Sequence, residues 1–246
     1  IVLSILLVLA CMGAFAYVAY YFFFAPNDKI VPAFEEGKLN LVIEGEEITS
    51  KIPPKIVDEE ILLPIDIVKE YFDPHIYWDS KAHKVIITTR DRVIRMKTDS
   101  LEAMVNNKPM TLNIPVVEEE NTVFIPIEFL ADFYGIEISY LKENNVIIID
   151  FKNSLRQIAE PIEAGAVVRK GRSRLYPIIK KFDLENGKPE DNTMRIFEEY
   201  DKWYKVRTSE GAIGYIEKRF VVVKRMMVKE LPEEKKDTGW RPEKGK

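Results

Sequence analysis

The feature that most limits how this chain can fold is a recurrence at a spacing of 62 residues. Ile43-Glu44-Gly45-Glu46-Glu47-Ile48 returns as Val105-Asn106-Asn107-Lys108-Pro109-Met110, and Ile52-Pro53 returns as Ile114-Pro115. Leu62-Leu63-Pro64-Ile65-Asp66 returns as Phe124-Ile125-Pro126-Ile127-Glu128, and Tyr71-Phe72 as Phe133-Tyr134. Val85-Ile86-Ile87 aligns with Val146-Ile147-Ile148 once a one-residue gap is allowed. So many matches at one offset mark a duplicated unit, with copies at about 39–99 and 101–151.

Each copy reads the same way. Glu44-Gly45 and Asn106-Asn107 are turn pairs that fold a strand back on itself. Pro64 and Pro126 can open helices, because the first helical position has no hydrogen bond for proline to lose. Ile67, Val68, Tyr71 and Phe72, like Phe129, Leu130, Phe133 and Tyr134, have the spacing of one buried helical stripe. Gly135 stops the second helix and Asp73-Pro74 the first. Two strands close each copy: Ile76-Tyr77-Trp78 with 84–89, and 137–141 with 145–151.

This pattern resembles the stalk repeat known as the copper amine oxidase N-terminal domain. The residues that carry the resemblance are Asn106-Asn107-Lys108-Pro109-Met110, the Ile125 to Gly135 segment, Ile76-Tyr77-Trp78-Asp79 and Val85-Ile86-Ile87. Asp73-Pro74 departs from it where glycine is usual. The resemblance implies no copper, since the oxidase keeps its metal chemistry in another domain. The only two histidines, His75 and His83, flank a strand turn without a third, so no metal or other cofactor is expected.

Residues 1–24 carry no charge. As a helix they reach roughly 36 Å, enough to cross a hydrocarbon layer of about 30 Å. Tyr17, Tyr20 and Tyr21 cluster at the end that would meet the interface. Ala14-Phe15-Ala16 looks like a signal-peptidase site, but the apolar run continues well past it. The reading is a single-span anchor over 1–25 through which the protein contacts the membrane, the bulk of the chain being extracytoplasmic. With no initiator Met, the chain reads as a fragment open at its N-terminus.

Charge then divides the remainder. Residues 25–153 are net −10, and 154–226 are net +5. The second block starts strands at Ala166 to Arg169, Met194 to Glu198, Trp203 to Arg207 and Ile213 to Ile216, with Gly-bearing turns between them, as in a small barrel. Trp203-Tyr204-Lys205-Val206-Arg207-Thr208, Gly211 and Gly214-Tyr215-Ile216 resemble the core of a bacterial SH3 domain. That resemblance implies binding of a cell-wall peptide or glycan. Along one strand Tyr204 and Val206 share a face, and Trp203, Lys205 and Arg207 share the other. The second set, with Tyr176 and Tyr215, forms the candidate ligand site: aromatic plates for sugar rings and cations for carboxylates. The competing reading is that Trp203 caps the barrel rim and the cations are solvated.

The expected class is therefore α+β: the helical anchor, a duplicated stalk over 26–152, an SH3-like module over 154–228, and a Pro-, Glu- and Lys-rich linker over 229–246. One Cys excludes a disulfide scaffold, and no phosphate-binding glycine loop or nucleophile motif is present. The acidic runs Asp58-Glu59-Glu60 and Glu118-Glu119-Glu120 are expected to keep strand edges soluble. No basic stripe points to nucleic acid. Tandem stalk repeats followed by such a module, then Gly239-Trp240-Arg241-Pro242, resemble the front of membrane-anchored family-18 glycoside hydrolase-like proteins. The acidic catalytic motif of that family does not occur in these residues. The expected function is a non-catalytic segment that places the protein at the cell wall. The alternatives are a surface scaffold for other proteins, or the front of a glycosidase.

Overall fold

We analysed a computed structural model that describes residues 2–89, 92–119, 122–152, 156–185, 187 and 189–226. The expected linker and the Gly239 to Pro242 motif lie outside the described residues. The fold is mostly β with three α-helices, so strands outweigh helix more than an even α+β mixture would. Helix α1 (Val2–Phe23) stands clear of the remainder. Its Ser4–Tyr21 stretch has a mean hydropathy of 1.9 and none of it is buried, so it is long and apolar enough to cross a membrane.

The first half of the acidic block forms β1 (Asn40–Ile43), β2 (Glu46–Ile48), β3 (Lys55–Val57), β4 (Glu60–Pro64), α2 (Ile65–Tyr71), β5 (Tyr77–Asp79), β6 (Lys84–Thr88) and β7 (Val93–Lys97). The second half forms β8 (Glu102–Val105), β9 (Lys108–Thr111), β10 (Val117–Glu119), β11 (Thr122–Pro126), α3 (Ile127–Tyr134), β12 (Ile136–Leu141) and β13 (Val146–Phe151). Glu44-Gly45 and Asn106-Asn107 all have positive φ, as the tight hairpin turns require. Pro64 and Pro126 end their strands and begin the helices, and Gly135 closes α3 at φ 63.

The register removes the gap introduced in the alignment. Trp78 pairs with Val85, and Tyr140 with Ile147, which is a uniform shift of 62. Val85 and Ile87 point into the main core, and so do Ile147 and Ile149. The buried side of the strand, more than its residue names, identifies the equivalent positions.

The two halves are not separate beads. Strands β4 and β11 pair antiparallel through Leu62–Pro126, Leu63–Ile125 and Pro64–Phe124, so the pairing is symmetric about Leu63 and Ile125. The sheet β10-β11-β4-β3 is thus built symmetrically from both halves. The sheet β12-β13-β1-β2 joins the last hairpin to the first through parallel β1–β13 pairing. The sheet β5-β6-β7-β8-β9 joins the halves again, with β7 inserted between β6 and β8. One core serves both, from Leu41, Leu63, Val68 and Ile87 to Ile125, Leu130 and Ile149.

The basic block forms β14 (Arg156–Pro161), β15 (Val167–Arg169), β16 (Ile178–Lys181), β17 (Met194–Glu199), β18 (Trp203–Thr208), β19 (Ile213–Glu217) and β20 (Val221–Met226). They make one antiparallel sheet in the order β16-β15-β19-β18-β17-β14-β20. Among the described residues this ladder ends at β16 and β20, where a closed barrel was expected. Val168, Met194, Val206 and Ile216 form its core. The segment after α1 adds to the β16 edge: Ile30 bridges Ile178 in parallel, Val31 N–H donates to the Ile178 carbonyl and Ile178 N–H to that of Lys29.

Leu63 is fully buried where the halves meet. Leu63→Ala should cost about 2–5 kcal/mol. Because the core is shared, amides in β1–β6 and β8–β13 should lose hydrogen-exchange protection together. Separate opening of the two halves would contradict a common core.

Candidate functional site

Strand β18 presents two faces. Val206 lies in the C-terminal core, with Tyr204 packed against it, so Trp203, Lys205 and Arg207 point away from that core as expected. The structure then divides those three residues. The Glu44-Gly45 turn and β13 cover Lys205 and Arg207, whereas Trp203 stays at the open end of the strand.

Arg207 donates two hydrogen bonds to Asp150, 2.7 and 2.6 Å long, in the planar fork that guanidinium and carboxylate share. Arg195 lies 2.7 Å from the same carboxylate and bonds Glu44 at 3.1 Å. Lys205 bonds Glu46 and, at 3.0 Å, Glu198. Phe197 lies beneath Gly45, where an added Cβ would come within 2.3 Å of its ring. Val42, Val146 and Ile148 pack with Ile213 in an apolar seam beside the ions. The network therefore fastens the C-terminal sheet to the sheet β12-β13-β1-β2. Burial would raise the Asp150 pKa, but the hydrogen bonds and charge of Arg207, with Arg195 and Arg156, hold it below the ordinary value of 3.8. Burial likewise opposes the charge on Lys205, and the Glu46 and Glu198 carboxylates more than offset it. Both cations are committed inside the protein, so they are not where a ligand would meet them.

Of the other expected site residues, Trp203 and Tyr176 share a cleft, and Tyr215 is not among its lining residues. Trp203, Tyr200 and Tyr176, with Arg172, Asp201 and Lys202, line an open cleft of about 540 Å³. The Tyr200–Trp203 turn between β17 and β18 forms one wall, held by Tyr200 N–H to the Trp203 carbonyl at 2.8 Å. The Gly171–Tyr176 turn forms the other. The Tyr176 ring lies on Gly171, where a Cβ would approach it to 2.6 Å, so glycine there seats the ring. Tyr215 stands 6.0 Å behind Tyr200. Arg172 lies 4.1 Å over the Tyr200 ring, a cation–π contact that leaves its hydrogen-bonding edge available to a ligand. The Tyr200 hydroxyl donates to Glu198, which raises its pKa and keeps it protonated. Arg172 is outside the expected set, because strand alternation says nothing about turn residues. Its signal was the Gly171-Arg172 pair in a turn that returns to an exposed tyrosine. The arrangement can stack planar apolar faces and hydrogen-bond carboxylates or hydroxyls.

A larger cleft of about 1360 Å³ runs between residues 31–41 and 47–54, reaching Lys170. Two of its carboxylates are engaged: Glu35 pairs with Lys38, and Glu47 accepts the Ile213 N–H. The acidic runs separate by role. Asp58 and Glu59 form the positive-φ turn between β3 and β4, Glu118 pairs with His83 at 3.0 Å, and Glu119 with Lys55. Glu120 lies outside the described residues. Glu60 instead hydrogen-bonds Glu128 at the start of α3. Burial, then the neighbouring Glu60, raises the Glu128 pKa to about 7. Among the described residues no group of three or more His, Cys, Asp or Glu side chains is placed to hold a metal.

Residues 42–149 match the sequence model of the copper amine oxidase N-terminal domain. The match is continuous and spans both halves, as the shared core requires.

Two substitutions test these electrostatics. Asp150→Asn leaves Arg195 and Arg207 buried without their anion, and should cost about 3–5 kcal/mol. The depressed Asp150 pKa contributes stability above the unfolded value, which is lost as pH falls through the folded one. Below the ordinary 3.8 the variant and parent melting temperatures should therefore converge. Glu128 behaves oppositely. Its raised pKa favours the folded state at low pH, and that contribution disappears between 4.5 and about 7. Glu128→Gln should thus raise the melting temperature above neutrality and change it little in acid.

Proposed function

We propose that this chain is a membrane-anchored, extracytoplasmic and non-catalytic segment that holds its protein at the cell wall. In this reading α1 is the anchor, residues 39–151 are a duplicated stalk, and residues 156–226 are a bacterial SH3-like module. The observation that carries the reading is the cleft of Trp203, Tyr200 and Tyr176 beside Arg172 and Lys202. Aromatic faces stack on sugar rings, and a guanidinium pairs with a stem-peptide carboxylate, so a peptidoglycan fragment or related glycan is the ligand that suits it. Lys205 and Arg207, first expected in that role, serve the join between module and stalk. The same order of parts would suit the front of a family-18 glycoside hydrolase-like protein, whose catalysis would reside in another domain.

A second reading, a scaffold for other surface proteins, draws on the buried ion network around Asp150. A module fixed so firmly to its stalk presents one rigid surface.

The test uses the full chain in detergent and purified peptidoglycan in a sedimentation assay. Trp203→Ala and Arg172→Ala should each weaken retention roughly three- to tenfold, the worth of one aromatic or charge-assisted contact. Retention of the parent no better than that of a charge-matched control would reject wall binding. Under the scaffold reading Trp203→Ala leaves assembly with surface proteins unchanged.

A further inference from the structure

The stalk is expected to hold the C-terminal module away from the bilayer, but the chain path runs otherwise. Phe24 and Ala25 both donate to the Tyr20 carbonyl, so the chain closes the last turn of α1 and leaves the helix at Ala25. Asn27 N–H already donates to the Arg174 carbonyl at 2.8 Å. Two residues at full extension span about 7 Å. Arg169, buried in the module, donates to the Asn27 carbonyl and, at 2.9 Å, to Asp28. The Gly171–Tyr176 turn is therefore clamped about one hydrogen bond beyond that short tether, while the stalk begins at Asn40.

We infer that this turn is a membrane-contact surface whose partner is the bilayer that α1 crosses. The inference rests on the anchor reading above. Each interfacial layer of a bilayer is about 5–8 Å deep, comparable to the tether. The clamped strip exposes two large apolar side chains, Leu175 at 45% and Ile30 at 60%. Around them the exposed cations Lys29, Arg174 and Arg219 outnumber Glu217, which Arg174 and Arg219 share, while buried Arg169 is paired with Asp28. An apolar tip ringed by net positive charge matches a headgroup layer carrying phosphates, with the arginine stems alongside the apolar groups. The aromatic cleft uses the same turn through Arg172 and Tyr176, so it opens at the membrane surface, and its ligands are met there.

The test places an environment-sensitive fluorophore at Leu175→Cys in the full chain, with Cys11→Ser removing the native thiol. Met110→Cys in β9 is the control. The protein is reconstituted in phosphatidylcholine–phosphatidylglycerol vesicles carrying a headgroup-depth spin-labelled lipid. That quencher should lower emission at 175 several-fold more than at 110, and aqueous iodide should do the reverse. Inserting about ten Gly/Ser residues between Ala25 and Pro26, with a reach of about 17 Å, should return position 175 to iodide access while the module contacts stay intact. If the protein floats with vesicles but position 175 is as iodide-accessible as 110, the contact surface is rejected and the anchor stands. If the protein does not float, the anchor reading falls and this inference falls with it.

Discussion

The acidic block depends on β4 meeting β11. Each half makes a hairpin whose outer strand would present unpaired N–H and C=O groups, which are costly to bury and sticky when exposed. Placed antiparallel about Leu63 and Ile125, the two strands satisfy each other. Leu62, Leu63, Phe124 and Ile125 disappear from solvent in the same step. The other joins follow from this geometry. The first hairpin reaches the last through β1 and β13, and β7 fills the gap on the opposite side, where the chain must pass from one half to the next.

Turns and helix ends were legible because they are local. Glu44-Gly45 and Asn106-Asn107 need positive φ, and Pro64, Pro126 and Gly135 bound helices by rules that act within a few residues. What the sequence hid was pairing between distant strands. Nothing in Leu63 says that Ile125 is its neighbour, and Val93–Lys97 was not read as a strand because it has no counterpart in the other half. The gap at Val146 had a similar cause: names aligned best one residue away from where burial aligns. In the basic block β14, β16 and β20 went unread, since their alternation is broken by charge and proline.

The candidate site shows the same division. Strand alternation placed Val206 inward and Lys205 and Arg207 outward correctly. Outward from one sheet, however, proved to be inward to the assembly of two. Asp150 lies more than fifty residues from Arg207, and only the folded arrangement brings a carboxylate to a strand that looks as if it awaits one. Buried ions of this kind are orientation devices more than sources of stability, because desolvation offsets much of their attraction. Their demand for matched geometry fixes how the two sheets sit, and that fixes which end of β18 remains open to solvent.

The short parallel bridge between Ile30 and Ile178, with the Asn27 bond to Arg174 beside it, has a mechanical meaning. A pull between α1 and the folded body loads that short contact along the strand axis, in shear, so its few hydrogen bonds resist together before any one of them opens. They are also far fewer than those inside either sheet. Under tension this joint yields first, releasing slack between helix and folded body while both sheets stay intact.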